Sequence, residues 1–291
     1  MDMETRSKQE PHVSRGDIAR ALRAVGVRQG DTAFAHSSLS AFGYVEGGAD
    51  AVIDALLDAL GPSGTLVLPT FTWGPFHKLD SGVFDVANTP CETGRIPETF
   101  RKRPGVVRSA HVCHSVAAWG PKARFALGED FRSFGPGSVF DRLHQLDSWY
   151  LLLGVGFNSC TALHMVEEYE QVPYRRYRDF KKFRVVLPDG RTVPSSCVEF
   201  LKVEGYRNDF SKAEPLFFKE GLLKTCQAGK ARIVNARLRD IFRVARKEVG
   251  QDPGYLLAPE SQKRLRNELL PFIKPPPLAE DPNRFYRCVE K

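Results

Sequence analysis

The chain has 291 residues, 42% of them hydrophobic, and a formal charge of +7. That length can bury a full core. No apolar run approaches the roughly 20 residues a membrane helix needs, and the charged start lacks an apolar leader, so a cytoplasmic protein is expected. The six cysteines (91, 113, 160, 197, 226 and 288) are scattered, which predicts reduced thiols, and the positive balance counts against a strongly cationic substrate except where acidic side chains gather.

Residues 1–13 read as a mobile polar tail, 14–272 as a single domain and 273–291 as a Pro-rich tail. Ser14 caps a first helix that carries Ile18, Ala21, Leu22 and Val25 on one face and stops at Gly26. A short strand, Asp31 to Ala35, ends at His36. A hydroxyl-rich turn (Ser37, Ser38, Ser40) and Gly47-Gly48 then lead into a helix over 49–60, and Thr65 to Pro69 returns as a buried strand. The loop and helix start of this unit can receive phosphates on backbone N–H groups, although it contains neither G-x-x-x-x-G-K-[ST] nor G-x-G-x-x-G.

The aromatic, Gly- and Pro-rich stretch from Thr70 to about Gly94 is long enough to predict a functional loop. A short helix follows from Ile96 to Arg103. Within RSAHVCHSVAAWG, His111, Cys113 and His114, with Cys91 as a fourth ligand, raise a metal site; their spacing departs from zinc motifs, and no metal is expected. Read as a strand, this block turns His111 and His114 to opposite sides.

Ser138 to Leu146 reads as a capped helix, and Tyr150-Leu-Leu-Leu153 as a strand covered on both faces. Gly154 and Gly156 permit a tight turn, and Asn158, Ser159 and Thr161 offer caps for a helix that begins at Ala162 and is stopped by Pro173. His164 therefore falls in the first turn of a helix that starts at the C-terminal edge of a buried strand, where open α/β sheets bind ligands. The positive helix end disfavours imidazolium, so this ring is expected to stay neutral and able to accept a proton. Glu167 shares its face at i+3. Cys160, four residues upstream, is a competing covalent nucleophile.

The run Pro173 to Arg184 interleaves basic and aromatic side chains and reads as a solvated edge or a cofactor-phosphate contact rather than a nucleic-acid surface. A hairpin of 183–187 with a strand near Val198 brings in Glu199. Helices are expected over 230–248 and 260–272.

Four blocks in order, AHSSLSAFGYVEGGADAVIDALLDALGPSGTLVLPTFTW, RSAHVCHSVAAWG, FGPGSVFDRL and LLLGVGFNSCTALHMVEEY, resemble the aminoglycoside N(3)-acetyltransferase (antibiotic N-acetyltransferase) family over about residues 14–178. The resemblance implies a three-layer α/β/α fold with a central mixed sheet, distinct from the GCN5-type acetyltransferase fold. It also implies acetyl-CoA as cosubstrate and the 3-amino group of an aminoglycoside, or a related small amine, as acceptor. By that likeness His164 is the general base, Thr161 lies near the reacting carbonyl and Glu199 orients His164. His36, Ser37, Ser38, Leu39, Tyr44, Val45, Gly47 and Ser109 are expected at the coenzyme, with Glu167 and Trp73 at the acceptor. Where the family usually shows His-Pro-Thr-His, this chain has His111-Val112-Cys113-His114. The expected partners are these two small molecules, with no membrane or nucleic acid, and a homodimer if the chain assembles. Two other readings stand beside this one: the same fold acetylating a non-aminoglycoside, even anionic, amine, and a non-catalytic protein binding nucleotide or nucleic acid through the 174–184 run.

Overall fold

The computed structural model describes residues 12–72 and 82–269. Trp73, expected at the acceptor, lies outside them. Fourteen strands occur among the described residues: β1 (His12–Val13), β2 (Thr32–Ser37), β3 (Tyr44–Val45), β4 (Thr65–Pro69), β5 (Val83–Asp85), β6 (Val107–Arg108), β7 (Val116–Trp119), β8 (Trp149–Leu153), β9 (Arg175–Asp179), β10 (Arg184–Val186), β11 (Thr192–Pro194), β12 (Val198–Lys202), β13 (Lys224–Ala228) and β14 (Ala231–Arg237). The helices are α1 (Arg15–Ala24), α2 (Gly48–Leu60), α3 (Arg95–Phe100), α4 (Ala123–Ala126), α5 (Val139–Gln145), α6 (Ala162–Tyr169), α7 (Ala213–Lys219), α8 (Leu238–Gln251) and α9 (Pro259–Arg264).

Seven strands form the central sheet in the order β13-β14-β8-β2-β4-β7-β6. The inner trio β8, β2 and β4 is parallel, and the flanking pairs are antiparallel, so the sheet is mixed as expected. Side chains alternate across a strand, and here the alternation divides the core into two layers. Ala33, Ala35, Leu66, Leu68, Leu151 and Leu153 pack with α1, α2 and α3 on one face. Phe34, Val67, Tyr150, Leu152, Val234 and Ala236 pack with α5, α6 and α8 on the other. The result is an α/β/α sandwich whose parallel strands point their C-terminal ends, Ser37 opposite Leu153, toward the start of α6.

Local chemistry accounts for the element ends. Ser14 and Asp17 form a reciprocal capping box on α1. Gly47, at φ 79°, starts α2, and Gly61, at φ 65°, ends it. Two smaller sheets lie apart from the main one: β11-β10-β5, and the antiparallel pair β9–β12, in which Glu199 stands opposite Arg178.

Three expected elements differ. Residues 230–248 were expected to be one helix, but Ala231–Arg237 is a strand and only Leu238–Gln251 is helical. Ile233 and Val234 are β-branched and pair with Leu153 and Leu152, and this central-sheet pairing overrides the helical spacing. The expected hairpin divides, with β10 pairing β11 and β12 pairing β9. His111 to His114 form a turn ahead of β7 rather than part of the strand, so the two imidazoles converge instead of facing apart, with ring centres 6.2 Å apart.

Candidate active site

The site is built where β2 and β8 end and α6 begins. His164 is partly exposed, with Phe134 and Phe210 against its ring at 5.2 and 4.8 Å between centres. Its Nδ1 lies 2.5 Å from Oε2 of Glu167, one turn further along α6. Glu167 is fully buried and fully partnered. Tyr174 O–H and Asn208 Nδ2–H donate to Oε1 at 2.7 and 2.6 Å, and Arg175 Nη2–H donates to Oε2 at 2.8 Å. Burial alone would push this carboxyl up; Arg175 and His164 overcome it and hold the group at about 2, so it is ionised. His164 must then donate its Nδ1 proton to Glu167, which leaves the lone pair on Nε2. Arg175 Nη2 also lies 2.9 Å from that Nδ1, which places a positive charge against the ring. Burial, followed by Arg175, lowers the imidazole to about 4 against the opposing pull of Glu167, so the ring is neutral at ordinary pH.

Thr161 begins α6, but its hydroxyl does not cap the helix. Instead Oγ1 lies 2.9 Å from Nε2 of His36 and 3.2 Å from the Tyr150 hydroxyl, which itself accepts the Ala162 N–H at 3.3 Å. Burial holds His36 at about 3, so it too is neutral. Among the other residues expected at the coenzyme, Ser38 Oγ lies 3.2 Å from Ser40 Oγ, and the buried Ser37 Oγ has no partner among the described residues. Leu39 precedes a short 3₁₀ turn, Tyr44 is exposed against His12, and Val45 is packed beneath α2. Ser109 is buried, and its hydroxyl accepts the Val116 N–H at 3.0 Å, which ties the His111–His114 turn to β7.

Neither carboxylate stands where it was expected. Glu167, expected at the acceptor, has no surface to offer and instead orients His164. Glu199, expected to orient His164, belongs to a separate buried cluster. Its Oε1 accepts the Ser133 hydroxyl at 2.5 Å and pairs with His114 Nδ1 at 2.8 Å, while Oε2 has no partner among the described residues. Burial pushes Glu199 up, but the His114 contact outweighs it and holds the carboxyl at about 2. The physical reason is reach: α6 puts Glu167 one turn from His164, whereas Glu199, on β12, comes up beside the turn of His111 to His114.

His111, Cys197 and Glu199 bring ligand-type atoms within 4.8 Å of one another, and Cys113 Sγ lies 3.9 Å from Cys197 Sγ. The hydrogen bonds already made disfavour a metal among them. His111 Nδ1 accepts the N–H groups of Cys113 and His114 at 3.3 and 3.0 Å, which puts the ring proton on Nε2, the atom 3.5 Å from Cys197 Sγ. Glu199 Oε1 is meanwhile taken by Ser133 and His114. Cys91 stands elsewhere, beside Gly94. Cys160 is fully buried, and burial pushes its thiol up to about 12, which removes the thiolate a covalent route needs.

Sequence reasoning missed Tyr174, Arg175, Asn208 and Ser133. Tyr174 and Arg175 were placed in a solvated basic run, yet both are buried on Glu167 while Arg176 and Arg178 face solvent. Their signal was only that a charged residue followed a helix-ending Pro173 beside the helix carrying His164.

The family model for aminoglycoside 3-N-acetyltransferases matches residues 34–249. The aminoglycoside N(3)-acetyltransferase IV of Salmonella sp. is 33% identical over 249 residues, 84% of this chain and 90% of that protein. The SPbeta prophage-derived aminoglycoside N(3')-acetyltransferase-like protein YokD of Bacillus subtilis (strain 168) is 31% identical, over 76% of this chain and 85% of its own length. Among solved structures, the apoenzyme of aminoglycoside acetyltransferase AAC(3)-IVa superposes with a TM-score of 0.74 at 31% identity, covering 89% of this chain and 98% of that one. AAC-IIIb in binary complex with CoASH also gives 0.74, at 25% identity over 83% of this chain and 97% of its own.

Proposed function

The chain belongs to the aminoglycoside 3-N-acetyltransferase family, a family of acyltransferases, and on that footing we propose that it carries acetyl from acetyl-CoA to an amine of an aminoglycoside or a related small amine, by direct transfer in a ternary complex. The observation that carries this reading is the His164–Glu167 pair at the start of α6, with its lone pair on Nε2 beside the ends of β2 and β8. His164 takes a proton from the amine nitrogen as that nitrogen bonds to the thioester carbonyl carbon, and Glu167 fixes the tautomer and balances the charge that forms on the ring. Arg175 opposes that charge, so the imidazolium is short-lived and passes its proton readily to the departing sulfur.

Thr161 suits the developing oxyanion. Tyr150 spends its lone pair on the Ala162 N–H and donates to Thr161; with His36 Nε2–H as a second donor, the Thr161 proton is left for the carbonyl oxygen. The start of α2, where Gly47 and Gly48 both hold positive φ, offers backbone N–H groups to the phosphates of CoA, with Ser37, Ser38 and Leu39 along the path from β2.

Replacing His164 by Gln is expected to lower kcat by roughly 10²–10⁴-fold while acetyl-CoA still binds by calorimetry. Thiol release within a few-fold of the parent would remove His164 from this role.

A further inference from the structure

A carboxylate that takes an imidazole N–H ordinarily makes that imidazole a stronger base, because the proton it picks up completes an ion pair. The His164–Glu167 pair has a third member that works the other way. Arg175, at the start of β9, is 5% exposed, and its Nη2 lies 2.8 Å from Glu167 Oε2 and 2.9 Å from His164 Nδ1. It is held there by two further contacts. Nη1–H donates to the Phe200 carbonyl on β12 at 2.7 Å, and Nη2–H donates to Asn208 Oδ1 at 3.2 Å, while Asn208 itself donates to Glu167. Guanidinium, carboxylate and neutral imidazole then sum to zero charge in a buried place. A proton on His164 gives this trio a net positive charge, whereas the same proton on a lone His–Glu pair would make the pair neutral.

We propose that Arg175 is a positioning residue for acetyl transfer, a fixed cation that decides the lowest pH at which His164 still serves as a base. Within the acetyl-transfer reading above, on which this rests, Nε2 takes a proton from the amine nitrogen and gives it to the departing sulfur. The trio thus becomes positive during the reaction and returns to zero. The guanidinium raises the energy of the positive state, which weakens the base but keeps solvent protons off it in acid. Burial, followed by Arg175, holds the imidazole down at about 4 although Glu167 pulls the other way.

Other titratable groups face this corner. From α6 come Glu167 and, one residue on, Glu168, whose charge Arg175 also favours. The turn before β7 brings His114 across the Phe134 ring, which lies 5.2 Å from His164 and 4.9 Å from His114. Lys202, on β12, feels both Arg175 and Glu167. Ahead of α7, Asp209 follows Asn208 and takes the Ser211 hydroxyl. Arg175 is the cation that reaches both members of the pair, at the distances above.

The test is the pH dependence of kcat/KM for Arg175→Gln on an aminoglycoside that the parent acetylates, with the His164 ring resonances followed by NMR. The acceptor's own ammonium limits both proteins alike, so the ratio of variant to parent is what is read. Loss of a charge at this range should move the acid limb and the His164 titration up by about 1–3 pH units. The deficit should be roughly tenfold or more at the acid end and shrink to about threefold or less once the pH exceeds the variant's own limb. Arg175→Lys keeps the charge and loses the planar fork, so activity should fall at every pH while the limb stays within about half a unit of the parent's. A deficit constant across pH with an unmoved His164 titration would mark Arg175 as merely structural. A limb displaced as far in the lysine variant as in the glutamine one would show that charge is not the cause. Either result overturns the proposal. If neither variant folds, the parent decides: its His164 ring should titrate below the ordinary 6.5, and titration above that value would mean that the carboxylate outweighs the guanidinium. If the parent transfers acetyl to no amine, it is the acetyl-transfer reading that has failed, and the NMR titrations still decide what Arg175 does to the ring.

Discussion

The two imidazole–carboxylate pairs share one phenyl ring as a wall, yet they rest on opposite kinds of support. His164 and Glu167 are neighbours on one helix, and Glu167 has an arginine, a tyrosine and an amide upon it. His114 and Glu199 stand 85 residues apart in sequence, and Glu199 has a serine, histidines and the Cys197 thiol, with one oxygen lacking a partner among the described residues. The first carboxylate is compensated by a guanidinium, whereas the second lies among imidazoles, a hydroxyl and a thiol. The same two side-chain types thus meet different charge balances according to whether a guanidinium is near.

The largest break in that comparison is expected from removing the compensated charge. Glu167→Gln leaves Arg175 buried beside a neutral amide, and loss of one member of a buried pair typically costs about 3–5 kcal/mol. Glu199→Gln strands no fixed cation, and its cost should be nearer the ~1–3 kcal/mol of a buried polar group left short of a partner. Urea unfolding of both variants measures the contrast. Equal losses would mean that Arg175 is not what distinguishes the two pairs.

That distinction was only half legible in the sequence. An i, i+3 pair on a helix can be read directly from spacing, which is why His164 and Glu167 stood out together, although the role assigned to Glu167 was wrong because its burial depends on Tyr174, Arg175 and Asn208 arriving from later elements. Glu199 was singled out as a carboxylate but joined to the wrong histidine, since nothing local shows that β12 pairs with β9 and comes up beside the turn of His111 to His114. The alternation of apolar strands with amphipathic helices was legible from the residues, while the three-layer sandwich came only as what the family resemblance implied. The strand Ala231–Arg237 was not, for its apolar residues fit a helical period until β8 supplies a partner.

A finer contrast concerns acid. Both carboxyls are held near 2, below their ordinary value, so each contributes stability that is present above about pH 4.5 and is lost as pH falls through about 2. Glu168 behaves oppositely. It is buried, and burial pushes its carboxyl from 4.5 up to about 7 despite Arg132, so stability falls as pH rises from about 4.5 through about 7 and is level above that. The gap in Tm between the parent and Glu199→Gln should therefore narrow as pH drops from about 4 to about 2. For Glu168→Gln the sign reverses: the variant should gain on the parent as pH is raised from about 4.5 to about 7. Melting curves across both windows check the assignment, and a gap that is flat with pH for Glu199→Gln would mean that its carboxylate is not held down by its partners.

The smallest expected effect sharpens the comparison most. Ser133 donates to Glu199 at 2.5 Å and accepts from His111 at 3.2 Å, and it has no counterpart at Glu167, where the hydroxyl comes from Tyr174. Ser133→Ala removes one neutral donor from a buried carboxylate and changes no charge, so the expected cost is about 1 kcal/mol. Urea unfolding of the variant checks this. A loss as large as that of Glu199→Gln would show that the hydroxyl, rather than the imidazole of His114, is what holds the carboxylate in place.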